Sequence, residues 1–153
     1  MTQCEHYTDS IYYHLEQTAK YCRYLGMQVF QKLKLPVTLD EFVAMDTILT
    51  NDGICQRDLA KMILKDRPNT GRILNALEEK GYIKRYADTK NNRLVRRTEL
   101  TEEGKILLEK VSVIARNYLE SLPKVITEDA KEDLLKTIKR FRESLEQEVE
   151  MKI

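Results

Sequence analysis

Three long stretches of this chain place an apolar residue at every third or fourth position, each along a single stripe. In the first, from Asp9 to Leu33, the stripe is Ile11, Leu15, Thr18/Ala19, Cys22, Leu25 and Val29. In the second, from Thr101 to Leu122, it is Leu107, Val111, Ile114, Tyr118 and Leu122, and Pro123 ends it. The last begins at a Thr127 cap and carries Leu134, Ile138, Phe141, Leu145 and Val149. Such spacing predicts amphipathic helices, each of which must bury one face. What lies between them is too small to cover all three, so the surplus apolar surface predicts helix-on-helix packing between two copies of the chain.

The middle of the chain is punctuated differently. Leu35-Pro36 breaks the first helix, because the residue before proline is pushed out of the helical region. Thr38 and Glu41 have capping-box spacing and predict a short helix with Phe42, Met45, Ile48 and Leu49 inward, stopping near Asn51-Asp-Gly53. A second short helix is expected from Cys55 to Leu64, with Leu59, Ala60 and Ile63 inward. After the turn Lys65-Asp-Arg67, a third has Pro68 in its first turn and Ile73, Leu74 and Leu77 inward, and runs to Lys80. Gly81 suits the left-handed position after its end. Tyr82–Ala87 and Arg93–Glu99 then read as strands flanking a polar loop, Asp88–Asn92. The predicted fold is mainly α with a small β-hairpin wing: a winged helix-turn-helix, residues 36–100, between helical dimerisation regions, residues 1–35 and 101–153, in one intertwined domain.

Charge is distributed unevenly over these parts. The 153 residues hold 26 basic and 25 acidic side chains, a net +1, which by itself argues against a nucleic-acid partner. Between Asp52 and Leu100, however, twelve basic residues face seven acidic ones, a net +5 that leaves −4 for the remainder. From Tyr82 to Thr98 alone there are six basic residues and one acidic. Two short helices and a basic hairpin suit double-stranded DNA. A helix fits the major groove, and an Arg-bearing ribbon tip reaches an adjacent minor groove. Lys84 and Arg85 are expected to contact phosphate.

Residues 54–104, ICQRDLAKMILKDRPNTGRILNALEEKGYIKRYADTKNNRLVRRTELTEEG, resemble the winged-helix core of the MarR family of bacterial transcriptional regulators. The phrases that carry the resemblance are QRDLA, RILNALEEKGYIKR and LTEEG, in that order. The resemblance implies a homodimer bound to a pseudo-palindromic operator, usually as a repressor, with DNA affinity lowered by a small ligand, a metal or cysteine oxidation. It places Asn69 and Thr70 at base-facing positions and matches Arg72 to the recognition-helix arginine. Arg93 falls at the wing arginine expected to enter the minor groove. Arg67, Asn75, Lys90 and Arg96 complete the expected DNA face, and Arg97 is a further candidate. Two positions depart from the family pattern. Asn92 stands where Asp is usual, so a salt bridge posing Arg93 is either lost or supplied by Asp88. Gly71 replaces a larger residue, either for close backbone approach to DNA or because it is simply tolerated.

Other residues are candidates for sensing. Cys55, at the cap of the second short helix with Asp58 three residues on, and Cys22 are candidate redox sites. The bland readings are a neutral cap substitution and a small buried hydrophobe. Tyr12, Tyr13, Tyr21 and Tyr24 are candidates for an effector cleft, against dimer-interface packing. Cys4, His6 and His14 fall short of a metal set, since no later histidine exists, and no cofactor is expected. The chain has no nucleophile–base pair, P-loop or dinucleotide motif, so it reads as no enzyme. Its first ten residues lack a signal-peptide pattern and no apolar run could span a membrane, so the cytoplasm is the expected location. Three irregularly spaced cysteines exclude a disulfide scaffold. The competing functional readings are a thiol-based redox-sensing regulator and a helical protein-interaction adaptor that binds DNA only weakly. The adaptor has no need of the basic hairpin.

Overall fold

Side-chain caps open five of the six α-helices described in the structure, a computed structural model that describes residues 5–151. After a 3-10 turn at Tyr7–Asp9, Ser10 accepts a hydrogen bond from the Tyr13 amide and opens α1, Ile11–Lys32. Thr38 and Glu41 form the expected capping box at the start of α2, Leu39–Thr50. The chain leaves α2 through Gly53, whose φ of 72° lies in the left-handed region that glycine adopts without strain. It then makes a two-residue strand, β1, Ile54–Cys55, and turns into α3, Gln56–Met62. Asp66 caps α4, Arg67–Glu79, with Pro68 in its first turn, and Gly81 follows with a φ of 81°.

The hairpin is longer and tighter than its sequence suggests. Strands β2, Ile83–Lys90, and β3, Arg93–Leu100, run antiparallel from Ile83 opposite Leu100 to Lys90 opposite Arg93. The residues expected as a loop, Asp88 to Lys90, belong to β2. Only Asn91 and Asn92 turn the chain, at φ values of 52° and 61°. Two consecutive left-handed residues make a primed turn whose twist matches the strands, and asparagine tolerates it. β1 was not anticipated as a strand. It pairs with β3, Ile54 opposite Thr98 and Cys55 opposite Arg97, giving the sheet order β1-β3-β2.

Thr101 caps α5, Glu102–Glu120, which ends before Pro123, and Thr127 caps α6, Glu128–Glu148. The root of α5 is tied to the hairpin. The Thr101 amide donates to Tyr82 O at 3.0 Å and its hydroxyl to Gly81 O at 2.7 Å. Gly104 follows so closely that a Cβ there would sit 2.1 Å from Tyr82 O.

The core is drawn from the middle of the chain. Phe30 at the end of α1 meets Ala44, Met45 and Ile48 of α2, Leu59 of α3, and Leu74 and Leu77 of α4. Ile83, Leu100, Leu108 and Val111 complete the cluster from the hairpin base and the root of α5. Full burial of such aliphatic side chains stabilises by about 1.5–3 kcal/mol each, so this cluster holds the fold together. Leu49, expected inward, is 48% exposed. α6 has no buried residue, and Ile11 at the start of α1 is 61% exposed. The apolar stripes on the long helices therefore do exceed what one protomer covers.

Candidate nucleic-acid interface

The first turn of α4 presents a hydrogen-bonded ladder to solvent. Asp66 Oδ1 accepts from the Asn69 amide at 2.8 Å, and Asp66 Oδ2 from Asn69 Nδ2 at 2.9 Å. Asn69 Oδ1 in turn accepts from the Arg72 guanidinium at 2.8 Å. Asn69 and Arg72 are thus exposed and oriented by their own element. Thr70 is not. It has no exposed surface, its hydroxyl donates to Asp66 O at 2.8 Å, and it shares the buried stripe of Leu74 and Leu77. Thr70, expected to face a base, is instead a core residue of α4. Gly71 has room: a Cβ there would meet only Gln56 Nε2, at 3.8 Å.

The hairpin's positive charges divide into engaged and unengaged groups. Arg85 keeps only 8% of its side-chain exposure and donates to Glu78 Oε2 at 3.0 Å and to Asn75 Oδ1 at 2.7 Å. That contact holds the Glu78 carboxyl below its ordinary range. Arg85, expected on phosphate, is a strut between hairpin and α4, and Asn75 is its acceptor. Lys84 lies 3.4 Å from Glu99, and Lys90 lies 2.9 Å from Asp58. Asp88 pairs with Arg97, whose guanidinium also donates to Gly53 O at 2.9 Å. Asp88 is therefore not available to pose Arg93. Among the described residues, Arg93 and Arg96 have no ion pair.

These unengaged cations border an open cleft of about 900 Å³ between the N-terminal ends of α3 and α4 and the ribbon tip. Arg57, Lys61, Arg67, Lys90, Arg93 and Arg96 line it, and Asp58 is the one carboxylate among the lining residues. Arg57 and Lys61 were not singled out from sequence, although their spacing of four puts them on one face of α3. Asn69 and Arg72 lie on α4 beyond the lining residues, so the structure gathers Arg67, Lys90, Arg93 and Arg96 of the expected set into one cleft.

The sensing candidates separate. Cys55 is 6% exposed, and its thiol donates to Asp58 Oδ2 at 3.0 Å, while its side chain makes no hydrogen bond to the helix end it caps. That hydrogen bond, and then Lys90, hold the Asp58 carboxyl below its ordinary range. Cys22, a candidate redox site or else a small buried hydrophobe, is exposed, and Cys4 lies outside the described residues. Tyr12, Tyr21 and Tyr24 are 51%, 73% and 59% exposed, and the Tyr12 ring rests against Phe141 of α6 at 5.5 Å. Tyr12, Tyr13, Tyr21 and Tyr24 do not line the basic cleft. A cleft of about 330 Å³ lies between the end of α1 and the start of α2, lined by Met27, Phe30, Lys34, Leu35, Leu39 and Lys80 among others. Among the described residues no cluster of His, Cys, Asp or Glu could hold a metal ion, and no helix is long and apolar enough to cross a membrane.

A helix-turn-helix with a basic ribbon beside its second helix defines a winged-helix DNA-binding protein. Residues 37–95 match the model of the MarR family. The chain is 28% identical over 116 residues to an uncharacterized HTH-type transcriptional regulator, YybA, of Bacillus subtilis, covering 76% of this chain and 77% of that protein. It is 26% identical over 93 residues to the HTH-type transcriptional regulator PrsX of Escherichia coli, covering 60% and 55%. Among solved structures, the transcriptional regulator SlyA superposes with a TM-score of 0.73 at 23% identity, over 91% of this chain and 96% of that one. An S. aureus MepR–DNA complex superposes with a TM-score of 0.69 at 21% identity, over 92% and 99%. The chain is thus similar to the MarR family of transcriptional regulators, through its residues 37–95 in sequence and across most of its length in fold.

Proposed function

We propose that this chain is a MarR-family transcriptional regulator, a repressor that binds a pseudo-palindromic duplex as a homodimer and is released by a small ligand. The observation that carries the reading is the cleft between α3, α4 and the ribbon tip, where Arg57, Lys61, Arg67, Arg93 and Arg96 converge without an ion pair among the described residues. Cations without an ion-pair partner on one concave surface are suited to phosphate, and the exposed Asn69 and Arg72 on α4 are suited to base edges. Residues 36–100 supply this surface. Residues 1–35 and 101–153 supply exposed apolar residues, Ile11 of α1, Ile106 and Leu119 of α5, and Leu134 and Leu145 of α6 among them, which a second copy would cover. The cleft beside Phe30, Leu35 and Lys34 joins apolar walls to one lysine, a lining suited to a small aromatic effector.

Selection of bound sequences from a random duplex pool tests the central reading. An enriched inverted repeat, bound with an affinity that falls steeply as salt rises, is the expected result. Binding with no enriched sequence would favour the interaction-adaptor reading instead. Sedimentation of the free protein tests the dimer, and a monomer at micromolar concentration would overturn it.

A further inference from the structure

The outer half of the ribbon has few polar ties to the rest of the fold. Beyond Arg97, β3 pairs only with β2, because β1 stops at Cys55. A two-stranded ribbon is marginally stable by itself. Among the described residues, one hydrogen bond or ion pair joins residues 89–96 to anything outside the hairpin: Lys90 Nζ to Asp58 Oδ2, 2.9 Å. Lys90 is the last residue of β2 and the direct cross-strand partner of Arg93. Asp58 therefore grips the ribbon at the rung that carries the tip arginine.

Asp58 is itself held from two sides. It sits in the first turn of α3, where a carboxylate complements the helix N-terminus. Its Oδ2 also accepts from the buried Cys55 thiol at 3.0 Å. A fixed acid inside an otherwise basic cleft works against DNA affinity by simple Coulomb repulsion, so affinity alone does not account for it.

We propose that Asp58 is a positioning residue for sequence discrimination: through Lys90 it holds Arg93 of the ribbon tip at a set place relative to α4. The inference rests on the DNA-reading function above and adds a residue that need not touch DNA. Its signature is opposite for specific and non-specific duplex. Removing the charge lessens repulsion toward every duplex, whereas freeing the tip weakens only the site that Arg93 must meet in register.

The test measures affinity of the full-length protein for the pool-selected duplex and for an unrelated duplex of equal length, by fluorescence anisotropy. For Asp58→Asn the ratio of the two affinities should fall by about threefold to fivefold, the most an exposed ion pair ordinarily carries. In an Arg93→Ala background, Asp58→Asn should leave the ratio unchanged, because the two act as a unit. Lys90→Gln breaks the pair from the ribbon side and should lower the ratio as well, which covers the case of an Asp58→Asn chain that fails to fold. An unchanged ratio in Asp58→Asn, or effects that multiply independently with Arg93→Ala, would overturn the proposal. A wild-type chain that binds both duplexes equally would overturn the DNA-reading function itself.

Discussion

The Lys80 ammonium lies 2.9 Å from Oε1 of Glu41, joining the end of α4 to the start of α2. Glu41 is 4% exposed, and the same oxygen accepts from the Thr38 amide at 2.8 Å. Lys80 also donates to Pro36 O at 3.2 Å, so one ammonium closes three turns of structure. Replacing it strands a buried carboxylate. Because Lys80 itself is partly exposed, the Lys80→Met loss should be about 2 kcal/mol, below that of a fully buried pair. A urea unfolding curve with a lowered midpoint and unchanged slope checks it.

Arg93 and Arg85 should behave oppositely, although both lie on the basic hairpin. Arg93→Ala should cost about 1–3 kcal/mol of specific binding and make the salt slope shallower by about one, with the unfolding midpoint unchanged. Arg85→Ala removes the partner of Glu78 and Asn75 and should lower stability by about 1 kcal/mol. Thermal melts beside DNA titrations separate the two, and an Arg93→Ala variant that melts early would contradict its unengaged place.

Gly104 and Gly71 make a second contrast. An alanine at 104 would drive its Cβ against the Tyr82 carbonyl, a backbone group that cannot swing aside, so Gly104→Ala should destabilise by roughly 3 kcal/mol. At 71 nothing closer than 3.8 Å stands in the way. Gly71→Ala should stabilise α4 by about 1 kcal/mol and leave DNA affinity alone. A stable Gly71→Ala protein that has lost DNA binding would show that the duplex backbone needs that space.

Asp40 sets an acid-side limit. Its carboxylate accepts from Arg23 at 2.8 Å and lies 3.6 Å from Lys65, and the Arg23 hydrogen bond holds it below the ordinary aspartate value of 3.8. A carboxylate depressed in the folded state contributes stability above its unfolded value and loses it as pH falls through the folded one. Unfolding midpoints should therefore decline below about pH 4, and Asp40→Asn should flatten that decline by roughly 0.5 kcal/mol for so exposed a pair. Parallel curves for the two proteins would remove Asp40 from the acid transition.

What could be read in the sequence was local. The Thr38–Glu41 box, Pro68, Gly81 and Thr101 act through neighbours three or four residues away, and each lies where its chemistry predicts. β1 was hidden because two residues carry no period and its partner, β3, lies more than forty positions on. The strand through Asp88–Lys90 was hidden because both faces are exposed there and no apolar alternation marks it. Thr70 could have been found, since it precedes Leu74 by four and Leu77 by seven, the spacing of a buried stripe. The engagement of Arg85 with Glu78 and of Lys90 with Asp58 could not, because charge counts do not say which cations already have a partner.

The bonds at the base of the hairpin have a mechanical meaning. Thr101 is hydrogen-bonded to Gly81 and Tyr82, Leu100 is buried in the core, and Gly104 lies against the Tyr82 carbonyl, so no slack remains between the ribbon and the helix that follows it. The base of the wing and the root of α5 therefore move together, so a tilt of α5 is carried into the hairpin base while the tip stays tethered to α3 through Lys90 and Asp58.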